Sequence, residues 1–163
     1  MGRVTRSPLL DLSGAVPAEG CDDGVALHYG DPLREQRTLT EAVGVVDRSH
    51  RGVVSVPGAD RLSWLHDLTS QHVRGLPDGR GTEALLLSPR GHVEHHMVLA
   101  ELGGSTWLDV EPGTASALVA FLESMRFMLR VDPTDTTPSE ALLSLVGPGC
   151  TETLVALGNA ATS

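Results

Sequence analysis

A four-residue turn, Ser-Pro-Arg-Gly, lies between two runs of β-type residues and sets the strongest constraint on the fold. Residues 82–87 and 92–102 are rich in Leu and Val, and Pro followed by Gly in this way favours a tight reversal. The sequence therefore predicts a β-hairpin, followed after two glycines by a third strand at residues 105–110. This hairpin and its third strand form the centre of a predicted α+β fold.

Three segments show the apolar spacing of helices, and the first also carries capping residues. The first, residues 31–44, has Asp31 as a capping residue, Pro32 in the first turn and Gly44 as a stop signal. Leucines recur every three residues in the second helix, and the third has an apolar face. The other predicted helices span residues 60–69 and 114–127, and short strands are predicted at 25–28, in two valine-rich pieces of 45–58, and at 128–131.

The chain of 163 residues is long enough for one domain and part of another. We predict a flexible N-terminal arm at residues 1–23, a first α+β domain at 24–132, and a polar, proline-containing linker at 133–140. Residues 141–163 look like the truncated start of a second α/β domain, with a strand and the beginning of a helix. Because this last segment would lack its packing partners, we expect it to be the least stable part of the chain.

Charge and composition exclude several classes of function. A net charge of −9 disfavours nucleic acid as a partner, because an acidic chain repels phosphate backbones. No apolar stretch approaches the ~20 residues of a membrane span, and the N-terminus lacks the apolar run of a signal peptide. The two cysteines, Cys21 and Cys150, are far apart and favour free thiols. These features predict a cytoplasmic protein without a membrane partner.

A histidine-rich run, Gly-His-Val-Glu-His-His, occupies residues 91–96 at the start of the second hairpin strand. Strand alternation would place His92, Glu94 and His96 on one face and His95 on the other. Such a set is compatible with a zinc or iron site, with the lining of a pocket, or with a solvated polar face. Because a straight strand spreads these side chains apart, we predict that no metal is bound.

The tetrapeptide Asp-Arg-Ser-His at residues 47–50 contains the residue types of a nucleophilic triad. Triads, however, converge from distant parts of a chain. We therefore favour a polar turn in which Asp47 and Ser49 bond to backbone amides, with His50 left free to face a pocket.

Taken in order, several motifs resemble a known family. They are HYGDPLREQ, VVDRSHRGVVSVPGADRLSWLHDLTSQHV, GTEALLLSPRGHVEHHMVL, RFMLRVD and ALLSLVGPG. From about Ala26 onward the chain resembles the N-terminal half of the folate-binding proteins related to the glycine cleavage T-protein. Within that superfamily it looks most like the YgfZ-type proteins, which are tied to iron–sulfur cluster assembly or repair.

The resemblance implies a fold and a ligand. The first domain would be a ferredoxin-like α+β unit, and three domains would surround a cavity for tetrahydrofolate. The implied folate-binding residues are His50, Arg51, Glu94, His96 and Val98, with no catalytic residue assigned. By its chemistry Glu94 would accept hydrogen bonds from the pterin, and Arg51 would attract the glutamyl tail. The implied partners are the folate and iron–sulfur proteins or their assembly machinery.

Two departures from the family pattern shape the functional prediction. Aminomethyltransferases of this superfamily carry paired aspartates where His95 and His96 stand, and a tyrosine where Glu83 stands. Because a neutral histidine does not replace an acid beside a cationic centre, we favour the YgfZ-type accessory function. A true aminomethyltransferase that uses His96, and a metal-binding or interaction module, are the alternatives.

The second departure is a missing motif. YgfZ-type proteins carry a K-G-C-Y-x-G-Q-E motif, and neither cysteine of this chain lies in one. We therefore expect a fragment, without competence as an enzyme, whose folate binding is weak or absent without the later domains.

Overall fold

The computed structural model describes residues 6–161, and the side chains to residue 157. Contacts divide the described residues into two compact units. One unit contains Arg51–Ala141, and the other combines residues 6–50 with the segment that begins at Leu142. The second unit is thus discontinuous in sequence, a division that differs from the one we predicted. The boundaries at 24, 132 and 141 stay a prediction about domains.

A five-stranded antiparallel sheet forms the first unit, and it contains the predicted hairpin. Its strands are Gly52–Pro57 (β4), Arg80–Leu87 (β5), Val93–Leu102 (β6), Ser105–Val110 (β7) and Thr134–Asp135 (β8). They follow the spatial order β5-β6-β7-β4-β8. The prediction of three consecutive strands is confirmed, because β6 pairs with β5 on one side and with β7 on the other.

Two helices, Arg61–Leu68 (α2) and Ala115–Ser124 (α3), contribute to the core of this unit, as the leucine spacing predicted. Alternate residues of the strands point into the same core, so one sheet face is covered. The core contains Val54, Val56, Trp64, Leu65, Val73, Ala84, Leu86, Met97, Leu99, Leu108, Val110, Ala115, Leu118, Leu122 and Val131. The opposite face of β5 and β6 is left more accessible.

The strand predicted at residues 128–131 is wrong. The chain turns there, with the Leu129 N–H donating to the Arg126 carbonyl at 2.9 Å. Met128 has a φ of 56°, a left-handed conformation that an extended strand excludes. The edge strand is instead β8, which lies inside the predicted linker and pairs with Val54 and Ser55.

The second unit contains two small antiparallel pairs and two helices. The strands are Val16–Pro17 (β1), Ala26–His28 (β2), Gly44–Asp47 (β3) and Leu143–Val146 (β9), and the helices are Pro32–Glu41 (α1) and Cys150–Ala161 (α4). The predicted cap of α1 is confirmed, since the Asp31 side chain accepts a hydrogen bond from the Arg34 amide at 3.0 Å. The predicted strand and helix of the last segment are present as β9 and α4, and β9 pairs with β3.

Residues 6–23, predicted as an irregular arm, contain more structure than their composition indicates. Pro8–Asp11 and Gly20–Asp22 form short 3-10 helices, and β1 pairs with β2. The Ser7 amide donates to the Gly24 carbonyl at 2.8 Å, and the Ser7 side chain is buried. The described helices and strands agree with the predicted α+β class.

No helix within residues 6–161 combines the length and the apolar character that crossing a bilayer requires.

Candidate functional site

The accessible face of the β5–β6–β7 sheet carries several polar side chains on one surface. In the strand register Val98 lies opposite Glu83 on β5 and opposite Asp109 on β7. Residues directly opposite each other project from the same face of a sheet. Glu83, Val98 and Asp109 therefore form one row across this surface, which we call the open face.

A second row of the open face contains His96, which pairs with Leu85. The His96 Nε2 atom lies 3.6 Å from Glu83 Oε2, and the two side chains are 40% and 76% exposed. A depression of about 320 Å³ lies here, lined by Ser70, Gln71, Glu83, Ala84, Leu85 and His96. This combination of a carboxylate, an imidazole and an amide can accept and donate hydrogen bonds to a polar heterocycle.

Arg51 lies at the Asp109 end of the first row. Its guanidinium donates to Asp109 and, at 3.0 Å, to Glu111 Oε1. Burial lowers the pKa of Arg51, but the hydrogen bonds with these two carboxylates outweigh burial and leave the pKa raised. Arg51 is thus a permanent cation with both partners supplied by β7 and the residue after it. A ligand carboxylate would compete with Asp109 and Glu111 for this guanidinium.

The histidine-rich run does not keep the predicted alternation. His92 precedes β6, and a bulge between Leu86 and Leu87 changes the register: Leu86 faces His95 while Leu87 faces Val93. The bulge leaves Glu94 unpaired in the ladder, exposed to solvent. The prediction that residues 92, 94 and 96 share one regular face is therefore wrong.

His95 differs from its neighbour His96 in its environment. Burial lowers the pKa of His95, although the nearby Glu94 charge acts in the opposite direction. A lowered pKa keeps His95 neutral at pH 7. Within residues 6–161 no three His, Cys, Asp or Glu side chains cluster in a way that could hold a metal ion. The absence of a bound metal stays a prediction.

His50 belongs to the second unit, where the predicted polar turn is confirmed in part. Asp47 Oδ1 accepts a hydrogen bond from the Ser49 amide at 3.0 Å, and the Ser49 hydroxyl donates to the same oxygen. His50 is buried, with Nε2 at 3.3 Å from Asp22 Oδ1 and without a partner for Nδ1 in the described residues. Its predicted freedom to face a pocket is not what the structure shows.

The structure thus places Arg51, His96 and Val98 in the first unit, where Asp109 lies opposite Val98 and bonds to Arg51, while His96 lines the depression beside Glu83. The folate-binding role assigned to these residues and to His50 and Glu94 stays a prediction. Sequence reasoning missed Ser70 and Gln71, which follow α2. The Ser70 amide donates to the Leu85 carbonyl at 2.9 Å and so places both residues beside β5. No pattern in the sequence near Ser70 indicates this contact.

Comparisons with known proteins agree on one family. The family model described as "GCVT N-terminal domain" matches residues 28–163. An aminomethyltransferase of Chromobacterium violaceum is 29% identical over 125 residues, covering 74% of this chain and 34% of the relative. An aminomethyltransferase of Thermus thermophilus is 32% identical over 123 residues, covering 75% and 35%. The chain spans about a third of the length of these relatives.

A solved structure matches almost the whole chain. It is the glycine cleavage system aminomethyltransferase T from Bartonella henselae, with a TM-score of 0.79 and 23% identity over 96% of this chain and 44% of that chain. At this identity the likeness establishes the fold. The α+β class that we predicted, of the T-protein type, is confirmed.

Proposed function

This chain belongs to the family of GCVT N-terminal domains, and from that premise we propose that it forms one wall of a reduced-folate cavity in a protein of aminomethyltransferase type. Relatives that bear the name aminomethyltransferase align with about three quarters of the chain. Their name supports an aminomethyltransferase function over the accessory function that the sequence alone favoured.

The observation that carries this proposal is the position of Glu83 beside His96 on the open face. Histidines stand at residues 95 and 96, where the aminomethyltransferases of the superfamily carry acids that aminomethyl transfer needs. Glu83 restores a carboxylate to the same face, one strand away, with its Oε2 at 3.6 Å from His96 Nε2. The negative charge needed beside a cationic centre is therefore available from β5.

The side chains of the open face suit a reduced pterin. Glu83 offers carboxylate oxygens to the ring N–H groups, and the Gln71 amide and His96 add further hydrogen-bonding atoms. Val98 supplies an apolar surface on which a flat ring can pack. Tetrahydrofolate, when bound, would supply the nitrogen that accepts the one-carbon unit. The roles of this chain are to orient the ring and to place the Glu83 charge beside it.

A YgfZ-type accessory function is the second candidate, and the environment of His95 favours it. A histidine is neutral or positively charged, so His95 cannot replace the negative charge of the aspartate that the aminomethyltransferases carry there, and burial, which lowers the pKa of His95, favours its neutral form. In this function the folate would be retained, and iron–sulfur proteins or their assembly machinery would be the partners. Formation of methylenetetrahydrofolate from an aminomethyl-lipoyl donor supports the first candidate. Loss of iron–sulfur enzyme activity on gene deletion, without that turnover, supports the second.

Two-dimensional NMR detects even weak binding and tests the proposed ligand. We expect 5-formyltetrahydrofolate, a stable reduced folate, to shift amide signals of the open face, centred on residues 70–71, 83–85 and 96–98. Glu83→Gln should weaken this binding about tenfold, since hydrogen bonds to a charged group contribute about 1.5–3 kcal/mol. Glu140→Gln, at an exposed residue of the same unit, removes the same charge and should leave the affinity unchanged.

Two results would contradict the proposal. One is the absence of saturable shifts on the open face. The other is an equal loss of affinity in the Glu83 and Glu140 variants, which would indicate only a general effect of charge.

A further inference from the structure

A second cavity, of about 330 Å³, lies in the other unit between β2, α1 and β3. Its volume is at the lower end of the range for small-molecule sites. The lining residues are Ala26, Leu27, His28, Tyr29, Glu35, Thr38, Leu39, Gly44, Val45, Val46 and Asp47.

Two polar atoms among the lining residues are buried and have no hydrogen-bond partner within the described part of the chain. They are the Tyr29 hydroxyl and Asp47 Oδ2. The Asp47 residue is only 7% exposed, and its other oxygen is already bonded to Ser49. Buried polar atoms in folded proteins almost always have partners. The two orphaned atoms therefore indicate that a polar group is needed at this place.

The charged side chains around the cavity determine whether that polar group should be positive or negative. Burial raises the pKa of Asp47, but the hydrogen bonds from the Ser49 hydroxyl and amide oppose burial and the pKa is lowered, so the carboxylate is ionised at pH 7. Glu35 Oε1 accepts from the Tyr29 amide at 2.9 Å and from the Asp31 amide at 3.2 Å. The lining contains these two acids and no arginine.

The Tyr29 hydroxyl is the third polar element. Burial raises its pKa, and the charges of Asp47 and Glu35 raise it further, so the hydroxyl keeps its proton. A protonated hydroxyl can still accept one hydrogen bond. The remaining lining is largely aliphatic, with Leu39 on α1 and Val45 and Val46 on β3.

We propose that this cavity is a binding site for a small protonated alkylamine. The ammonium group donates to Asp47 Oδ2, to the Tyr29 hydroxyl oxygen and to the Glu35 carboxylate. The short alkyl chain packs against Leu39, Val45 and Val46. This site lies in a different unit from the open face, and the inference does not depend on folate binding.

An NMR titration of the chain with isobutylammonium chloride at pH 7 tests the site, with isobutanol as the neutral probe of nearly the same shape. We expect saturable amide shifts at residues 26–29, 35–39 and 44–47, and an affinity for the ammonium at least tenfold above that for the alcohol. Equal affinities would mean that a water molecule satisfies the orphaned atoms, and would overturn the proposal. Absence of saturable shifts with the amine would overturn it as well.

Variants separate direct contact from the general acidity of the protein. Tyr29→Phe removes the hydroxyl and should weaken ammonium binding about tenfold, because a hydrogen bond donated by a charged group is lost. Glu35→Gln should weaken it about tenfold, because a charge-assisted hydrogen bond is lost. Glu41→Gln removes the same charge from the exposed end of α1, outside the lining, and should leave the affinity unchanged. An equal loss in the Glu35 and Glu41 variants, or no loss in Tyr29→Phe, would refute the site.

Discussion

Arg61 and Glu101 form an ion pair within the first unit, where Glu101 is only 3% exposed. The Arg61 Nε atom donates to Glu101 Oε1 at 3.1 Å, and the buried Thr106 hydroxyl donates to Oε2 at 2.7 Å. Every carboxylate oxygen of Glu101 thus has a donor, which is the condition for a charge to be tolerated inside a protein. The pair connects α2 to β6 across the covered side of the sheet.

Truncation of Glu101 should destabilise the chain strongly. Glu101→Ala leaves the Arg61 charge and the Thr106 hydroxyl without their partner, and we expect the free energy of unfolding to fall by about 3 kcal/mol. Urea denaturation measures this loss. Glu140→Ala, at an exposed residue, should change it by less than about 0.5 kcal/mol. Equal effects of the two variants would show that the buried pair contributes little.

The Asp60–Arg130 pair should make stability depend on pH in acid. The hydrogen bonds from the Arg130 side chain and amide lower the pKa of Asp60 to about 2, from an ordinary value of 3.8. Between these pH values the unfolded chain binds the proton and the folded chain does not, so stability falls as the pH falls. The contribution of Asp60 is complete above about pH 5 and is lost progressively between about pH 5 and pH 1.

Comparison of the parent chain with Asp60→Asn isolates this contribution. The difference in their free energies of unfolding should be constant above about pH 5 and should shrink between about pH 5 and 1. In an Arg130→Gln background the same comparison should lose most of its pH dependence. A difference that stays constant down to pH 2 would contradict the lowered pKa.

Met128→Gly should stabilise the chain. Met128 has a φ of 56° and is 90% exposed, so its side chain gains little packing while its backbone is strained. Left-handed backbone costs a residue with a Cβ atom about 1–2 kcal/mol, and glycine avoids this cost. We expect a net gain of about 0.5–1 kcal/mol in the free energy of unfolding, since glycine also makes the unfolded chain more flexible.

Met125→Gly is the matched control, because Met125 ends α3 with a φ of −98° and is 46% exposed. Glycine there relieves no strain and loses partial packing, so urea denaturation should show a loss of stability. A loss in both variants would mean that the turn at Met128 is not strained.

The elements that were predicted well are those specified by local pattern. The hairpin of β5 and β6 follows from its turn residues, and α1 from its cap at Asp31. The turn at Met128 and the edge strand β8 had no such signal. The Thr136 amide, next to β8, donates to the Val53 carbonyl at 2.9 Å, and Val53 is 83 residues away in the sequence. Only the folded chain brings these residues together.

In the candidate site, too, local pattern predicted some features, and the pairing of distant segments decided the rest. Strand alternation correctly separates His96 from His95 and places Val98 with His96. It fails at Glu94, because a bulge is decided by the register between two strands and not by either strand alone. The partners of Arg51, Asp109 and Glu111, are 58 and 60 residues away in the sequence. The residues next to Arg51 therefore give no indication that its guanidinium is already hydrogen-bonded.

Self-association should depend on the exposed apolar side of α4. Leu154, Val155 and Leu157 are each 57–59% exposed, and Leu143 on β9 adds to the exposed apolar surface of the second unit. Clustered apolar side chains on a surface favour association, and a charge among them opposes it. We expect the parent chain to associate at high micromolar concentrations in sedimentation velocity, and Leu154→Glu to shift association to at least tenfold higher concentration.

Thr151→Glu is the control, because it adds the same charge to an exposed residue of α4 and should shift the association much less. If both variants suppress association equally, net charge and not the apolar side of α4 controls it.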